Sequence, residues 1–147
     1  MTIIHVTSGD IIESTAQTIA CPVNLRGVMG CGLARTMAET YPGLLKQYRL
    51  ACLLKTLTLD KPTVFDVTIG KQVLCIATKD DCRRPSKLEW IAGNLLYIAE
   101  YYDVLGITSL ALPRLGCGAG GLQWSDVRPL IHRYLSDVPI DITIYGA

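Results

Sequence analysis

Apolar and polar positions along the chain follow two rhythms. Short β-branched runs, "TIIHV" from Thr2 and "TIACPV" from Thr18, have strand length; between them "TSGDIIESTAQ" supplies turn and capping residues. From Leu33 to Cys52 the positions Leu33, Met37, Leu44, Leu45 and Tyr48 recur at helical spacing, with Pro42 kinking or restarting the helix. "TVFDVTI" and "QVLCIAT" then form two strands joined through Gly70-Lys71 as a hairpin. Leu88, Ile91, Leu95, Ile98 and Ala99 make the apolar face of a long helix, which Ser86 can cap and Gly106 can end. The strand "ITSLALP", a glycine-rich loop, a helix from about Ser125 to Ser136 and a closing strand "DITIYG" complete the pattern. Strands alternating with helices predict a layered α/β fold around a largely parallel sheet. No repeat, low-complexity tract or linker divides residues 1–147, so a single stand-alone domain is expected.

Composition narrows the partners. Half of the 147 residues are hydrophobic and 18% are charged, which suits one well-formed core. With a net charge of +1 no global field draws the chain to nucleic acid or to an anionic membrane, so an anionic ligand has to be met locally. The longest apolar run, around "SLALPRL", is too short to span a bilayer, and "MTIIHVTSGD" lacks the pattern of a secretory signal. Six cysteines and two histidines are spaced without a Cys-x-x-Cys pair, so neither a metal nor another cofactor is expected. Free thiols in apolar or glycine-rich runs fit a reducing, cytoplasmic setting.

Two glycine loops carry the chemistry. "NLRGVMGCGLA", from Asn24, and "LPRLGCGAGGLQW", from Leu112, each follow a predicted strand and precede a predicted helix. Ligands collect at the carboxyl ends of strands in open α/β sheets, and helix N-termini offer N–H groups to anions. Two such loops facing one crevice suit a pyrophosphate. Neither matches the usual dinucleotide fingerprint, and no Gly-Lys-Ser/Thr of a nucleoside-triphosphate loop is present.

"SGDIIES", "VNLRGVMGCGLA", "TKDDCRRPSKLEWI" and "PRLGCGAGGLQW" occur in the order seen in macrodomains, and the chain resembles that family from Ile3 to Tyr145. It is most similar to the branch holding the terminal ADP-ribose protein glycohydrolase and the antitoxin that strips ADP-ribose from DNA. The resemblance implies a three-layer α/β/α domain with a mixed, largely parallel sheet, and a ligand that is ADP-ribose. On this mapping Asp10 accepts from the adenine amino group, although the same residue in "SGD" is also a ready cap or turn former. Ile11 offers its N–H to the base. Gly27, Val28, Gly30, Cys31, Gly32 and Leu33 form the first phosphate loop, and Gly116, Cys117, Gly118, Ala119, Gly120, Gly121 and Leu122 the second. Asn24 matches a residue near the distal ribose; it serves equally well as a side-chain clamp on the neighbouring loop.

Lys79, just past an apolar strand, matches the catalytic lysine of the branch. A lysine amine can attack an anomeric carbon or assist departure of the attached group, and attack requires loss of its proton through desolvation or neighbouring charge. Asp80 and Asp81 oppose that loss if they lie close. The implied activity is hydrolysis of ADP-ribose from modified DNA or protein, with Lys79 central and Asn24 assisting. The alternatives are a non-catalytic ADP-ribose reader and a phosphatase acting on ADP-ribose-1''-phosphate. Three positions depart from relatives. Gly120 replaces the aspartate of the protein-directed enzyme, as in the DNA-directed type; Cys31 stands where lysine is common; and Cys21-Pro22 replaces Asn-Thr. Arg83 and Arg84, beside Lys79, add local cations suited to single-stranded DNA. Trp90 and Trp124 are expected to pack helices on the sheet, and His132 is given no chemistry.

Overall fold

Side chains alternate between the two faces of a strand, and here both parities are apolar, so both faces of the sheet must be covered. A computed structural model describes residues 2–146. Its six strands are β1 (Ile4–Thr7), β2 (Thr18–Asn24), β3 (Thr63–Thr68), β4 (Lys71–Lys79), β5 (Ser109–Leu112) and β6 (Asp141–Tyr145). The helices are α1 (Gly32–Thr40), α2 (Leu44–Leu53), α3 (Leu88–Tyr101) and α4 (Trp124–Leu135), with a 3₁₀ turn at Ile11–Glu13. The strands lie in the order β1-β6-β5-β2-β4-β3. All pairs are parallel except the β3–β4 hairpin at one edge.

Ala20, Leu74, Ile76, Leu110, Leu112, Ile142 and Ile144 pack on one face beneath Ile91, Leu95 and Ile98 of α3 and Val127, Ile131 and Leu135 of α4. The opposite parity, Ile19, Cys21, Val23, Val73, Cys75 and Ala77, meets Met37 of α1 and Leu44 and Tyr48 of α2. The architecture is therefore the expected three-layer α/β/α sandwich with a mixed, mostly parallel sheet. No helix among the described residues is long and apolar enough to cross a membrane.

The restart expected at Pro42 is seen, and α3 differs in detail from the sequence pattern. Pro42 and Gly43 divide the segment from Leu33 to Cys52 into two helices, and Gly43, at φ 90°, starts the second. Ser86 does not cap α3: Lys87 holds the N-cap position, and Ser86 instead gives its N–H to the Gly120 carbonyl at 2.9 Å. Gly106, at φ 72°, closes a turn beyond the end of α3 at Tyr101.

The topology decides where a ligand can sit. The chain leaves β4 through α3 and returns as β5 on the other side of β2, so a crevice opens at the carboxyl ends of these three strands. Asn94, fully buried on α3, steadies that edge. Its amide nitrogen reaches the carbonyls of Leu59 (2.8 Å), Ala77 (3.2 Å) and Trp90 (2.8 Å), tying the helix to the end of β4. Asn94→Ala should lower unfolding free energy by about 1–3 kcal/mol, because it strands buried carbonyls. Urea denaturation with an unchanged midpoint would show that this tie carries no stability.

Candidate functional site

The parallel strands end along one side of the sheet, and the residues singled out by sequence gather there. At the end of β2 the ladder slips between Val23 and Asn24, so that Asn24 stands opposite Lys79, the last residue of β4. Asn24 is buried and its side chain is folded into its own loop. Nδ2 donates to the Val28 carbonyl at 2.9 Å, and Oδ1 accepts from the Arg26 N–H at 2.8 Å. From α2, the buried Tyr48 hydroxyl donates to the Asn24 carbonyl at 2.6 Å. Of the two roles open to Asn24, the loop clamp is the one these contacts build, leaving one amide hydrogen for the crevice.

This clamp shapes the first glycine loop. Gly27 takes φ 77°, and Arg49 braces it through a 3.0 Å hydrogen bond from Nε to the Gly27 carbonyl. Beyond it, the N–H groups of Gly30, Cys31, Gly32 and Leu33 donate to no protein acceptor among the described residues, and α1 opens with no side-chain cap. In the second loop, Gly116 and Gly121 lie at φ 74° and 78°. Bonds from Gly121 N–H to Gly118 O (3.1 Å) and from Leu122 N–H to Gly116 O (2.9 Å) hold the curve. The N–H groups of Gly118, Ala119 and Gly120 are left without protein acceptors among the described residues. Consecutive unpaired N–H groups are a receptor for an anion, and each loop presents one such run.

Gly120 cannot carry a side chain in this loop. A β-carbon there would stand 2.3 Å from Ser86 Oγ and 2.6 Å from the Gly116 carbonyl oxygen. Ser86 is buried, and its hydroxyl has no hydrogen-bond partner. The space that an aspartate would need is thus filled by the segment following Lys79.

Lys79 Nζ lies 3.4 Å from the Cys82 carbonyl oxygen. The neighbouring carboxylates are directed to arginines. Asp80 pairs with Arg84 at 3.6 Å, and Asp81 with Arg83 at 2.9 Å and Arg26 at 3.9 Å. Hydrogen bonds from the Arg83 side chain and N–H, with the charges of Arg83 and Arg26, hold the Asp81 carboxyl well below the usual carboxylate range. Arg83 and Arg84, expected as local cations beside Lys79, therefore spend their charge on these two acids.

At the far end of the crevice Asp10 caps the 3₁₀ turn, accepting from the Ile12 N–H at 3.0 Å, and its second oxygen makes no hydrogen bond within the described residues. The Ile11 N–H has no protein acceptor there either. Tyr145, which the sequence did not single out, ends β6 beside them, its ring 3.7 Å from where a β-carbon on Gly9 would stand. Its signal was an aromatic residue closing the last strand. Trp124 packs against the core with the Arg114 guanidinium 5.2 Å from its ring centroid, so it serves the packing role expected of it.

Together these features define a class: a three-layer α/β/α domain with two anion-receptive loops and a lysine at a topological switch point. No protein-family model matches the chain. Among solved structures, the macrodomain of Mycobacterium tuberculosis DarG superposes with a TM-score of 0.93 at 32% identity, over 100% of this chain and 99% of that one. Thermosipho africanus DarTG in complex with ADP-ribose gives a TM-score of 0.92 at 35% identity, over 97% of this chain and 41% of that one. The chain belongs to the macrodomain family. Curated relatives include a DNA ADP-ribosyl transferase-DNA ADP-ribosyl glycohydrolase fusion protein of Thermosipho africanus, 36% identical over 93% of this chain. A DNA ADP-ribosyl glycohydrolase of Mycobacterium tuberculosis is 34% identical over 94% of it. The chain spans 40% of the length of each of these two relatives.

Two outcomes follow from the packing of the loops. Gly120→Asp should destabilise the fold by about 1–3 kcal/mol through overpacking. A variant as stable as the wild type, by thermal unfolding, would contradict the fit. All six thiols are free, and they differ in reach: Cys31 and Cys82 are exposed, whereas burial pushes the Cys21 thiol up to about 12 and Cys75 well above its ordinary value. A maleimide followed by mass spectrometry should label Cys31 and Cys82 in the native protein, and Cys21 and Cys75 only after unfolding. Native-state labelling of Cys21 would contradict the packing.

Proposed function

We propose that the crevice binds ADP-ribose and that the protein is a hydrolase removing it from modified DNA. The observation that carries this reading is the convergence of Lys79 with two runs of unpaired N–H groups at the switch point. In this arrangement the diphosphate lies between Gly30–Leu33 and Gly118–Gly120. The adenine amino group donates to the free oxygen of Asp10, the Ile11 N–H meets the base, and Tyr145 walls it. Asn24 shapes the distal-ribose pocket by holding the first loop, and its remaining amide hydrogen faces the sugar. The Lys79 amine, its ammonium proton first lost to solvent, gives its lone pair to the anomeric carbon as the bond to the target breaks. The bonding pair leaves with the target, which takes up the proton that the new C–N nitrogen sheds. Water then releases ADP-ribose and restores the amine. The engagement of Asp80 and Asp81 by arginines supports this role, since neither carboxylate is committed to the lysine.

DNA is preferred over protein as the target on two grounds. The two curated relatives described above carry DNA ADP-ribosyl glycohydrolase in their names. The second loop also has no room for an acid at position 120. Arg83 and Arg84 remain 79% and 71% exposed and add secondary contacts to the strand, weakened by their own carboxylate partners. A non-catalytic reader is the second reading, favoured by the same missing acid and by the commitment of Asn24 to its loop.

Calorimetry with ADP-ribose should give saturable binding; no heat at near-millimolar ligand removes both readings. Incubation with ADP-ribosylated single-stranded DNA, ADP-ribosylated protein and ADP-ribose-1''-phosphate should release product fastest from DNA. Lys79→Ala should lower that rate by at least about 100-fold while ADP-ribose affinity changes less than about threefold. An unimpaired Lys79→Ala enzyme overturns the mechanism, and binding without release from any substrate leaves the reader.

A further inference from the structure

Behind the first glycine loop lies a concavity that shares Gly27 with that loop but not its run of unpaired N–H groups. It is a cleft of about 240 Å³ lined by Leu25, Arg26, Gly27, Arg49, Cys52 and Leu53. Resting on the reading above, we propose that this cleft receives a nucleotide flanking the modified one, so that the protein holds a single strand as well as its ADP-ribose group.

Three features point to this occupant. The first is charge: two guanidiniums and no carboxylate line the cleft. Arg49 uses Nε to brace Gly27, and its two terminal nitrogens donate to no protein acceptor among the described residues. They present the planar fork that suits a phosphate. The second is shape. Leu25 and Leu53 supply apolar walls, and the volume suits a single base better than a whole cofactor. The third is continuity with the reaction centre. Arg26, 63% exposed on the cleft rim, lies 3.9 Å from Asp81, two residues beyond Lys79. A strand whose modified nucleotide meets Lys79 passes over Arg26 on its way into the cleft. Arg83 is hydrogen-bonded to Asp81, Arg84 and Arg26 sit more loosely beside their acids at 3.6 and 3.9 Å, and Arg49 pairs with no carboxylate among the described residues.

The phosphate would lie on Arg26 and the Arg49 fork, with the base against Leu53, which is 79% exposed with no protein cover. Exposed Leu50 and Leu54 continue the apolar strip on α2. A peptide helix is the other macromolecule that such a strip fits. The two guanidiniums favour the nucleotide, and the experiment separates the two.

The test compares kinetics on an ADP-ribosylated single nucleoside with kinetics on the same nucleoside inside an oligonucleotide carrying several flanking residues. The wild type should show a KM about tenfold or more lower for the oligonucleotide, with an advantage that shrinks as salt rises. Arg26→Ala and Leu53→Ser alter exposed side chains, so folding should be kept. Each should remove much of the oligonucleotide advantage while kcat on the nucleoside and the Kd for free ADP-ribose stay within about twofold, and Arg26→Ala should lower the salt slope by about one. Equal KM for nucleoside and oligonucleotide in the wild type, or an advantage intact in both variants, overturns the proposal. So does a Leu53→Ser effect confined to ADP-ribosylated protein, which makes the cleft a peptide groove. Failure of the wild type to bind ADP-ribose at all is a separate result, and it removes the functional reading beneath.

Discussion

The hydrogen-bond knot around Asn24 is the constraint on which the site depends. A strand end, a glycine loop and a helix meet there, and each lends a polar group that would be costly to leave buried and unpaired. Tyr48 reaches from α2 to the Asn24 carbonyl, while the Asn24 amide takes hold of Arg26 and Val28. The slip of the β2–β4 ladder at this point sets Asn24 opposite Lys79. Backbone that would otherwise pair with a neighbouring strand is curved into a receptor instead. The unpaired N–H groups after Val28 are a consequence of that curve, and α1 begins without a cap because its first turn belongs to the crevice.

A second contact sets the opposite wall. Ser86 joins the segment after Lys79 to the second glycine loop through its N–H and fills the space beside Gly120 with its hydroxyl. The loop thereby excludes a side chain at position 120. Separately, Arg83 and Arg26 both pair with Asp81 and Arg84 pairs with Asp80, while Arg49 turns its Nε to the Gly27 carbonyl.

Much of the fold was legible because its signals are local. The apolar parities of β2, β4, β5 and β6 are buried on their own faces, those of the edge strands β1 and β3 only in part, and the hairpin at Gly70 forms where the turn residue lies. The two glycine loops were also readable, since dense glycine at strand ends is unusual in itself, whereas a lysine at a strand end is commonplace and Lys79 drew notice only through the family resemblance. Ser86 was misjudged as a helix cap because serine before a helix commonly has that role. Here α3 begins one residue later, with Lys87 at the N-cap, and the Ser86 hydroxyl is buried against Gly120 and makes no hydrogen bond. Tyr145 gave only a weak signal, for an aromatic residue at a chain end has no special meaning until Gly9 is found beside it.

The sequence by itself determined the alternation of strands and helices, the two-sided core and the glycine-rich, lysine-bearing edge, since periodicity and backbone freedom are properties of short stretches. Only the tertiary structure decided what those residues face. Asn24 and Tyr48 are 24 positions apart, Ser86 and Gly120 meet across α3, and Arg26 meets Asp81 across two strand ends. Whether an arginine is a free cation or half of an ion pair, and whether a glycine has room for a side chain, depends on segments brought together by long-range packing, and sequence spacing carries no record of such contacts.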